Sequence, residues 1–222
     1  MIMKHTFLVK EWFGAFLSLL FPRCCVVCGR PLAKGEECIC AVCNMDLPRT
    51  DYHLRRDNPV ELLFWGKFPL ERATCFFYYG GQKEIGAIMG RYMAAELIES
   101  GFFQGIDVII PIPLHETKQR IRGYNQSEWI ARGIAAVTGI PVDTEAVVRR
   151  KYTETQTRKS IFERWENVEG IFELHHAESL IGKHVLIVDD VLTTGATTVA
   201  CASRIMEVEG IRISVLTLAV AD

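Results

Sequence analysis

The sequence has almost no net charge, because 25 lysines and arginines oppose 27 aspartates and glutamates over 222 residues. This balance gives no global signature of a protein that binds nucleic acids through its overall charge. Disorder is not expected either, since 49% of the residues are hydrophobic and can supply a core. The length fits one full α/β domain with a small additional module.

The sequence also lacks an apolar run long enough to cross a bilayer and a small-x-small cleavage site near its start. Aromatic and aliphatic residues are frequent before residue 22, but Lys10 and Glu11 interrupt them. We interpret residues 1–22 as an apolar helix that packs on the rest of the protein, with membrane attachment as the alternative. The expectation is a cytoplasmic protein without an integral membrane segment.

Cysteine is nearly confined to one short segment, since six of the eight lie between residues 24 and 43. Two C-x-x-C pairs are separated there by eleven residues, a spacing that favours a tetrahedral structural zinc site. Four protein thiolates leave no open position for catalysis, so zinc would stabilise a module too small for its own core. Disulfides are the alternative, disfavoured by the lack of a signal peptide, and Cys24 and Cys38 are spare candidates. The predicted zinc ribbon spans residues 23–50, with the ligands Cys25, Cys28, Cys40 and Cys43.

The densest group of chemical signals lies between residues 185 and 210. Four consecutive aliphatic residues, 185–188, predict a strand buried on both faces within a parallel sheet. That strand delivers Asp189 and Asp190 to its end. A helix is predicted from Ala196 to Glu209, with Gly210 as its stop. The inward residues of this helix are expected to be Val199, Ala202, Ile205 and Met206.

The turn between this strand and this helix is predicted to hold a phosphate. The free N–H groups at a helix start surround one small volume, where the helix dipole favours an anion, and Gly195 lets the anion come close. The acidic pair would repel a phosphate, but it suits vicinal hydroxyls or a hydrated divalent cation. A sugar phosphate therefore matches both the acidic pair and the turn. A capped helix start without a ligand is the alternative. The predicted binding residues of the turn are Val191, Thr193, Thr194, Gly195, Ala196 and Thr197.

A second anion site is predicted after another buried strand, residues 107–114, which prolines bring to an end. Lys118, Arg120 and Arg122 follow this strand, and Gly123 frees the backbone beside them. Basic residues outnumber acidic ones between residues 115 and 159, so a polyanion should be drawn to this segment. A solvated basic loop is the alternative.

The remaining signals complete an alternating pattern. Helices are predicted at 85–98 and 127–138, and strands at 142–148 and 211–220. The connection after residue 148 is longer than two strands need, and we expect it to be a mobile lid that carries Arg158 and Lys159. Strands alternating with helices predict an α/β domain with a parallel, doubly wound sheet and ligands at the strand ends.

The strand, acidic pair and Thr-Thr-Gly-Ala-Thr turn resemble the signature of type I phosphoribosyltransferases, which bind 5-phosphoribosyl-1-pyrophosphate (PRPP). The full set of motifs is similar to the ComF competence family over nearly the whole chain. These motifs are the two C-x-x-C pairs, Ile-Pro-Leu-His at 112–115, Arg-Gly-Tyr-Asn-Gln at 122–126, Thr-Gln-Thr at 155–157, Glu-Arg-x-x-Asn-Val at 163–168 and Val-Asp-Asp-x-x-Thr-Thr-Gly at 188–195.

The resemblance implies a type I phosphoribosyltransferase-like domain over residues 51–222, with a doubly wound parallel sheet, and an N-terminal zinc-ribbon module. It implies a link to DNA uptake in naturally transformable bacteria, with PRPP or another ribose phosphate as ligand. Single-stranded DNA and competence-machinery proteins are further candidate partners. The alternatives are a catalytically inactive nucleotide- or single-stranded-DNA-binding adaptor on the same fold, and a purely zinc-stabilised interaction module.

The resemblance also implies roles for matching residues if the domain is an active transferase that releases pyrophosphate from the ribose. Asp189 and Asp190 would meet the ribose hydroxyls and a hydrated magnesium ion, and residues 193–197 would hold the 5-phosphate. Arg122, with Arg158 and Lys159, would bind pyrophosphate. The other substrate-binding residues implied are Pro113, Gly123, Asn125 and Gln126. No residue identifies an acceptor base.

Overall fold

The computed structural model of the chain describes residues 22–47, 61–67, 83–150 and 170–220, with backbone alone for residues 61–67. The predicted N-terminal helix before residue 22 and the predicted lid with Arg158 and Lys159 lie outside the described residues. The chain divides into two compact units, Met1–Leu47 and Pro48–Asp222. Among the helices in the described ranges, none has both the length and the apolar composition that crossing a bilayer requires.

The described part of the first unit, residues 22–47, contains little regular structure. A short helix, α1, spans Ala41–Met45 and has Cys40 as its N-cap. Before it, Cys25 N donates to Arg30 O at 2.7 Å and Val26 N donates to Cys38 O at 3.0 Å. Three of the five buried apolar residues in this segment are cysteines. Within residues 22–47, apolar packing therefore contributes little, as the sequence predicts for a metal-stabilised module.

The second unit is built on a sheet of four described strands, β1 Glu61–Lys67, β2 Val108–Pro111, β5 His184–Leu192 and β6 Arg212–Val220. Their order in the sheet is β1-β6-β5-β2. Each neighbouring pair is parallel, so all four strands run in one direction. A separate antiparallel pair consists of β3 Val147–Arg149 and β4 Phe172–Leu174. The helices of this unit are α2 Lys83–Leu97, α3 Glu116–Arg122, α4 Gln126–Thr138 and α5 Ala196–Ile205.

Helices cover both faces of the parallel sheet. One buried cluster joins strand, α5 and β4 residues, among them Ile110, Ile187, Cys201, Ile205 and Phe172. Adjacent strand residues point to opposite faces, and Ile109 and Leu186 are fully buried on the other face, where α4 contacts β2 and β5. Burial on both faces explains the uninterrupted aliphatic runs of β2 and β5. The prediction of a doubly wound parallel sheet is confirmed.

Helices α2 and α4 pack against each other with their backbones in contact. A Cβ atom placed on Gly90 would overlap the carbonyl of Ile130, and one placed on Gly133 would overlap the carbonyl of Ala87. Only residues without a side chain permit this approach, so both glycines are fixed by packing rather than by backbone conformation. The close contact holds α4 in place at the sheet.

The predicted strand at 142–148 is wrong in extent and in partner. Only Val142 bridges to the parallel sheet, through Ile109. The chain then turns at Asp143, whose Oδ1 accepts hydrogen bonds from the amides of Glu145 and Ala146 at 2.9 Å each. That turn redirects the backbone, so β3 forms over Val147–Arg149 and pairs antiparallel with β4 instead.

The predicted helix at 196–209 is shorter than expected, and its buried face differs. α5 ends at Ile205, and Val199 and Met206 are 42% and 62% exposed. Ala202 and Ile205 are buried as predicted, together with the small residues Thr198, Ala200 and Cys201. Small side chains let the helix lie close to the sheet, and that close packing decides which face turns inward.

Candidate functional site

The acidic pair lies within β5, near the carboxyl edge of the sheet. The strand does not stop at Val188 but continues through both acids to Leu192. Asp189 pairs with Thr217 of β6, and Val191 pairs with Ala219. The sheet therefore fixes the backbone of the acidic pair. The sequence had predicted this pair at the end of the strand rather than within it.

Each acid is anchored through one carboxylate oxygen. Asp189 Oδ1 accepts hydrogen bonds from Ser127 Oγ at 3.0 Å and from the amide of Asp190 at 2.9 Å. Asp190 Oδ1 accepts a hydrogen bond from the amide of Val191 at 2.7 Å. Both side chains are half-buried. The pair is thus oriented by the strand, and Asp189 is also oriented by α4.

The acidic pair is costly to ionise. Burial raises the pKa of Asp189 well above its usual range, and repulsion from Asp190 raises it further. Burial also raises the pKa of Asp190, although the nearby Arg122 guanidinium opposes that change. Two acids that carry such an electrostatic cost without stabilising the fold are typical of a binding or catalytic site.

Asp189→Asn should stabilise the ligand-free protein at neutral pH, because the amide keeps an acceptor oxygen for Ser127 and removes one buried charge. We expect a gain of about 1 kcal/mol, or roughly 2–4 °C in melting temperature. Wild-type stability should fall as pH rises from the unfolded carboxyl pKa of about 3.9 to the raised folded pKa, because the folded state binds more protons in that window. The variant lacks this decline, so its advantage should grow with pH over the same window in thermal melts.

Asp143→Asn is the matched control, because Asp143 also accepts backbone hydrogen bonds but lies in the turn before β3. No stabilisation is expected from that change. A melting temperature of Asp189→Asn at or below that of the wild type at neutral pH would contradict the electrostatic strain assigned to the pair.

The turn after β5 presents amides and hydroxyls to solvent. Gly195 adopts φ 75°, a left-handed conformation that other residues rarely adopt, and it caps α5. The first bond of the helix runs from Val199 N to Gly195 O at 2.8 Å, which leaves the amides of residues 196–198 ahead of the helical hydrogen bonds. Thr193 and Thr194 are exposed, and Ala196 and Thr197 are half-buried. The geometry is suited to a small anion.

Lys118 and Arg122 of the predicted second anion site are grouped with Arg149 rather than with Arg120. Burial lowers the pKa of Lys118, and repulsion from Arg149 and Arg122 lowers it further, which places these three charges in one group. Arg149, on β3, also interacts electrostatically with Asp189. Arg120 instead forms an exposed ion pair with Glu116 at 3.4 Å.

The segment that carries Lys118 and Arg122 is a short helix, α3, rather than the solvated basic loop given as the alternative. His115 caps α3, since its Nδ1 accepts a hydrogen bond from Thr117 N at 3.2 Å. Gly123 ends α3 with φ 82°. Helical periodicity separates Arg120 from Lys118 and Arg122. Residues four apart on a helix share a face, whereas residues two apart face different directions.

The remaining predicted binding residues mark the entry to α4. Asn125 and Gln126 are buried, and Asn125 Nδ2 donates to Ile112 O at 3.0 Å. Ile112 N in turn donates to Val188 O at 2.9 Å, so this entry is tied to β5 directly before the acidic pair. Pro113 is half-buried in the same connection. These residues place α3 and α4 at the carboxyl edge of the sheet.

Sequence reasoning did not assign Ser127 or Arg149 to the site. Ser127 follows the Arg-Gly-Tyr-Asn-Gln motif directly, which is a usable signal. Arg149 ends β3, and its proximity to Asp189 depends on how the chain turns after Val142. Burial raises the pKa of the Cys201 thiol strongly, so this cysteine is an unreactive core residue.

The four cysteines predicted as metal ligands converge in the first unit. The Sγ atoms of Cys25, Cys28, Cys40 and Cys43 all lie within 4.8 Å of one another. Tetrahedral zinc with Zn–S bonds of about 2.3 Å requires sulfurs about 3.8 Å apart, and Cys28 and Cys40 are 3.8 Å apart. The donor set and its spacing fit a zinc-ribbon-like module.

Polar neighbours favour the thiolate form at one of these cysteines. Arg30 Nη2 donates to Cys40 Sγ at 3.0 Å, and this bond, with that from Cys43 N, lowers the pKa of Cys40 to about 6. Burial raises the pKa of Cys43 to about 12 when no cation is considered. A bound dication would offset that cost, because coordinating thiols are deprotonated.

Comparison with known proteins gives related sequences over most of the chain. Residues 119–221 match the family described as phosphoribosyl transferase domain, a range that includes the acidic pair, the turn and α5. DNA utilization protein YhgH of Shigella flexneri is 29% identical over 85% of this chain and 92% of that protein. Competence protein ComFC of Bacillus subtilis is 25% identical over 82% of this chain and 71% of that protein.

One solved structure similar to the chain is glutamine PRPP amidotransferase from B. subtilis in complex with ADP and GMP. It aligns with 64% of this chain and 30% of its own at 16% identity, with a TM-score of 0.41.

Proposed function

Because the chain belongs to the ComF competence family and carries a phosphoribosyltransferase-like domain, we propose that it binds PRPP or a related ribose phosphate. The main support for this proposal is that one strand-turn-helix unit holds both the anchored acidic pair and the start of α5 with its free amides. Carboxylates accept hydrogen bonds from hydroxyls, whereas free amides at a helix start donate to phosphate. A ribose 5-phosphate carries hydroxyls for the carboxylates at one end and a phosphate for the amides at the other.

The proposed contacts follow from this division. Asp189 and Asp190 meet the ribose hydroxyls, and the amides and hydroxyls of residues 193–197 hold the 5-phosphate, with Val191 beside them in β5. Arg122 is proposed to bind the pyrophosphate group, and its electrostatic interaction with Asp190 supports this proposal. Arg158 and Lys159 are proposed to join it there, and Pro113, Gly123, Asn125 and Gln126 shape the wall of the site.

Magnesium is the proposed companion of the ligand, because it prefers carboxylate and phosphate oxygens and keeps several waters. The raised pKa values of Asp189 and Asp190 fit this role, since a nearby dication favours the ionised pair. When bound, magnesium supplies neutralisation of negative charge on a leaving pyrophosphate.

The proposed biological setting is the uptake or use of DNA, and the support for it is the naming of the relatives as competence and DNA utilization proteins. Two activities use the same contacts: transfer of phosphoribose to an acceptor, and ligand binding without transfer as a nucleotide- or single-stranded-DNA-binding adaptor. The cation group of Lys118, Arg122 and Arg149 suits either, because it can meet pyrophosphate or a nucleic-acid phosphate. Pyrophosphate release from PRPP with magnesium and a panel of bases distinguishes them.

Thr194→Glu should weaken PRPP binding about thirtyfold in calorimetry with magnesium. Thr194 is exposed in the turn, and a carboxylate there repels the 5-phosphate by about 2 kcal/mol. Ser203→Glu is the control, because it adds the same charge to an exposed position in the last turn of α5. Its affinity should equal that of the wild type. A Thr194→Glu affinity within threefold of the wild type would overturn the assignment of the phosphate position.

A further inference from the structure

Ser127 is held in a fixed position relative to the acidic pair by a closed set of hydrogen bonds. Ile112 N donates to Val188 O at 2.9 Å, and Asn125 Nδ2 donates to Ile112 O at 3.0 Å. Two residues later, Ser127 Oγ donates to Asp189 Oδ1 at 3.0 Å. The set begins at Val188 and returns to the next residue of β5, so the start of α4 cannot shift without distorting Asp189.

The contact between Ser127 and Asp189 joins two elements that are far apart in sequence. Ser127 lies in the first turn of α4 and is 4% exposed, so water competes little for its hydroxyl. Asp190 Oδ1, by contrast, is anchored by the amide of the next residue in its own strand. The described hydrogen bonds therefore hold the two acids differently: the donor to Asp190 Oδ1 belongs to β5, whereas the donors to Asp189 Oδ1 belong to β5 and α4.

We propose that Ser127 is a positioning residue that sets the orientation of Asp189 toward the ribose ring, and so determines how much affinity the sugar adds to that of the phosphate. This inference rests on the proposed ribose phosphate site. Asp189 Oδ1 accepts two hydrogen bonds, which occupies that oxygen and fixes the rotation of the carboxylate. The second oxygen is then held in one direction instead of sampling several.

A fixed carboxylate matters because a hydroxyl is recognised by direction as well as by charge. Hydrogen bonds weaken steeply when the donor angle falls below about 120°. A carboxylate free to rotate also loses conformational freedom when the ligand binds, which reduces affinity. Neither effect extends to the phosphate, because the amides of the turn belong to the start of α5 and do not contact Ser127 through the described hydrogen bonds.

The test compares ribose 5-phosphate with inorganic phosphate, each with magnesium, in calorimetric titrations. The wild type should bind ribose 5-phosphate at least tenfold more tightly than phosphate. Ser127→Ala should reduce this ratio about tenfold while the affinity for phosphate is unchanged. Ser127→Thr keeps a hydroxyl and should restore most of the ratio. A residue with only a structural role would change both affinities together.

A double-mutant cycle shows whether Ser127 acts through Asp189. In the Asp189→Ala background, Ser127→Ala should change the ratio less than twofold, because residue 189 then has no side-chain oxygen for Ser127 to orient. An unchanged ratio in Ser127→Ala, an equal loss for both ligands, or a full additional loss in the double variant would each overturn the inference. A wild type that binds ribose 5-phosphate no better than phosphate would overturn the proposed ribose site itself, and this inference with it.

Discussion

Cys40→Ser should abolish stoichiometric zinc in the purified protein and unfold residues 22–47. Cys40 is 1% exposed and caps α1, and its Sγ accepts hydrogen bonds from Cys43 N and Arg30. Removal of this sulfur leaves three ligands for a tetrahedral ion. Structural zinc supplies about 10–16 kcal/mol of apparent binding free energy in small modules, which exceeds what the few buried apolar residues here contribute.

Metal analysis and limited proteolysis measure the two consequences, and Cys24→Ser is the matched control. Cys24 lies beside Cys25 but is exposed, and its Sγ donates to Pro22 O at 3.4 Å instead of joining the four sulfurs. The control should retain one zinc per chain and the protease resistance of the wild type. Full zinc content in Cys40→Ser, or loss of zinc in Cys24→Ser, would refute the proposed ligand set.

Gly133→Ala should destabilise the second unit by about 2 kcal/mol and lower its melting temperature by roughly 4–8 °C. The added methyl group meets the carbonyl of Ala87, a backbone atom that cannot rotate away, so α2 and α4 must separate. Overpacking of this kind costs about 3 kcal/mol, and the better helix propensity of alanine returns about 1 kcal/mol. Thermal or urea unfolding measures the difference.

Gly86→Ala is the graded control for this prediction. Its Cβ atom would lie 3.1 Å from Trp129 Cβ, so relief of this contact requires a shift of only a few tenths of an ångström, whereas a Cβ on Gly133 would overlap the carbonyl of Ala87. The same gain in helix propensity should leave this variant close to the wild type. Equal losses for Gly86→Ala and Gly133→Ala would show that backbone contact is not what limits the distance between the helices.

The parts of the fold that the sequence predicted well depend on local patterns. The aliphatic run of β5 is buried as expected, and α4 begins at Gln126, one residue before its predicted start. The C-x-x-C spacing likewise identified the four sulfurs that converge. Each of these features is specified by residues close together in the chain, so neighbouring elements need not be known.

The parts that the sequence did not predict depend on packing between distant segments. Val199 and Met206 are larger than Ala200 and Cys201, and their hydrophobicity led us to predict that they are buried. In the structure, the smaller residues face the sheet instead, because α5 packs close to it. Ser127 reaches Asp189 only because α4 returns to the edge of the sheet. Such contacts follow from the fold, and the motif beside Ser127 marks this residue without indicating that it reaches Asp189.

The backbone contact between α2 and α4 has a mechanical consequence. Because no side chains separate the helix backbones at Gly90 and Gly133, the two helices should move as one rigid body. The first turn of α4 is hydrogen-bonded to Asp189, so a ligand that displaces this acid would move both helices. A further contact joins the two helices, because the ammonium of Lys83 in α2 lies 4.7 Å from the ring centre of Trp129 in α4. Ligand binding at the sheet edge should therefore reach α2 through α4.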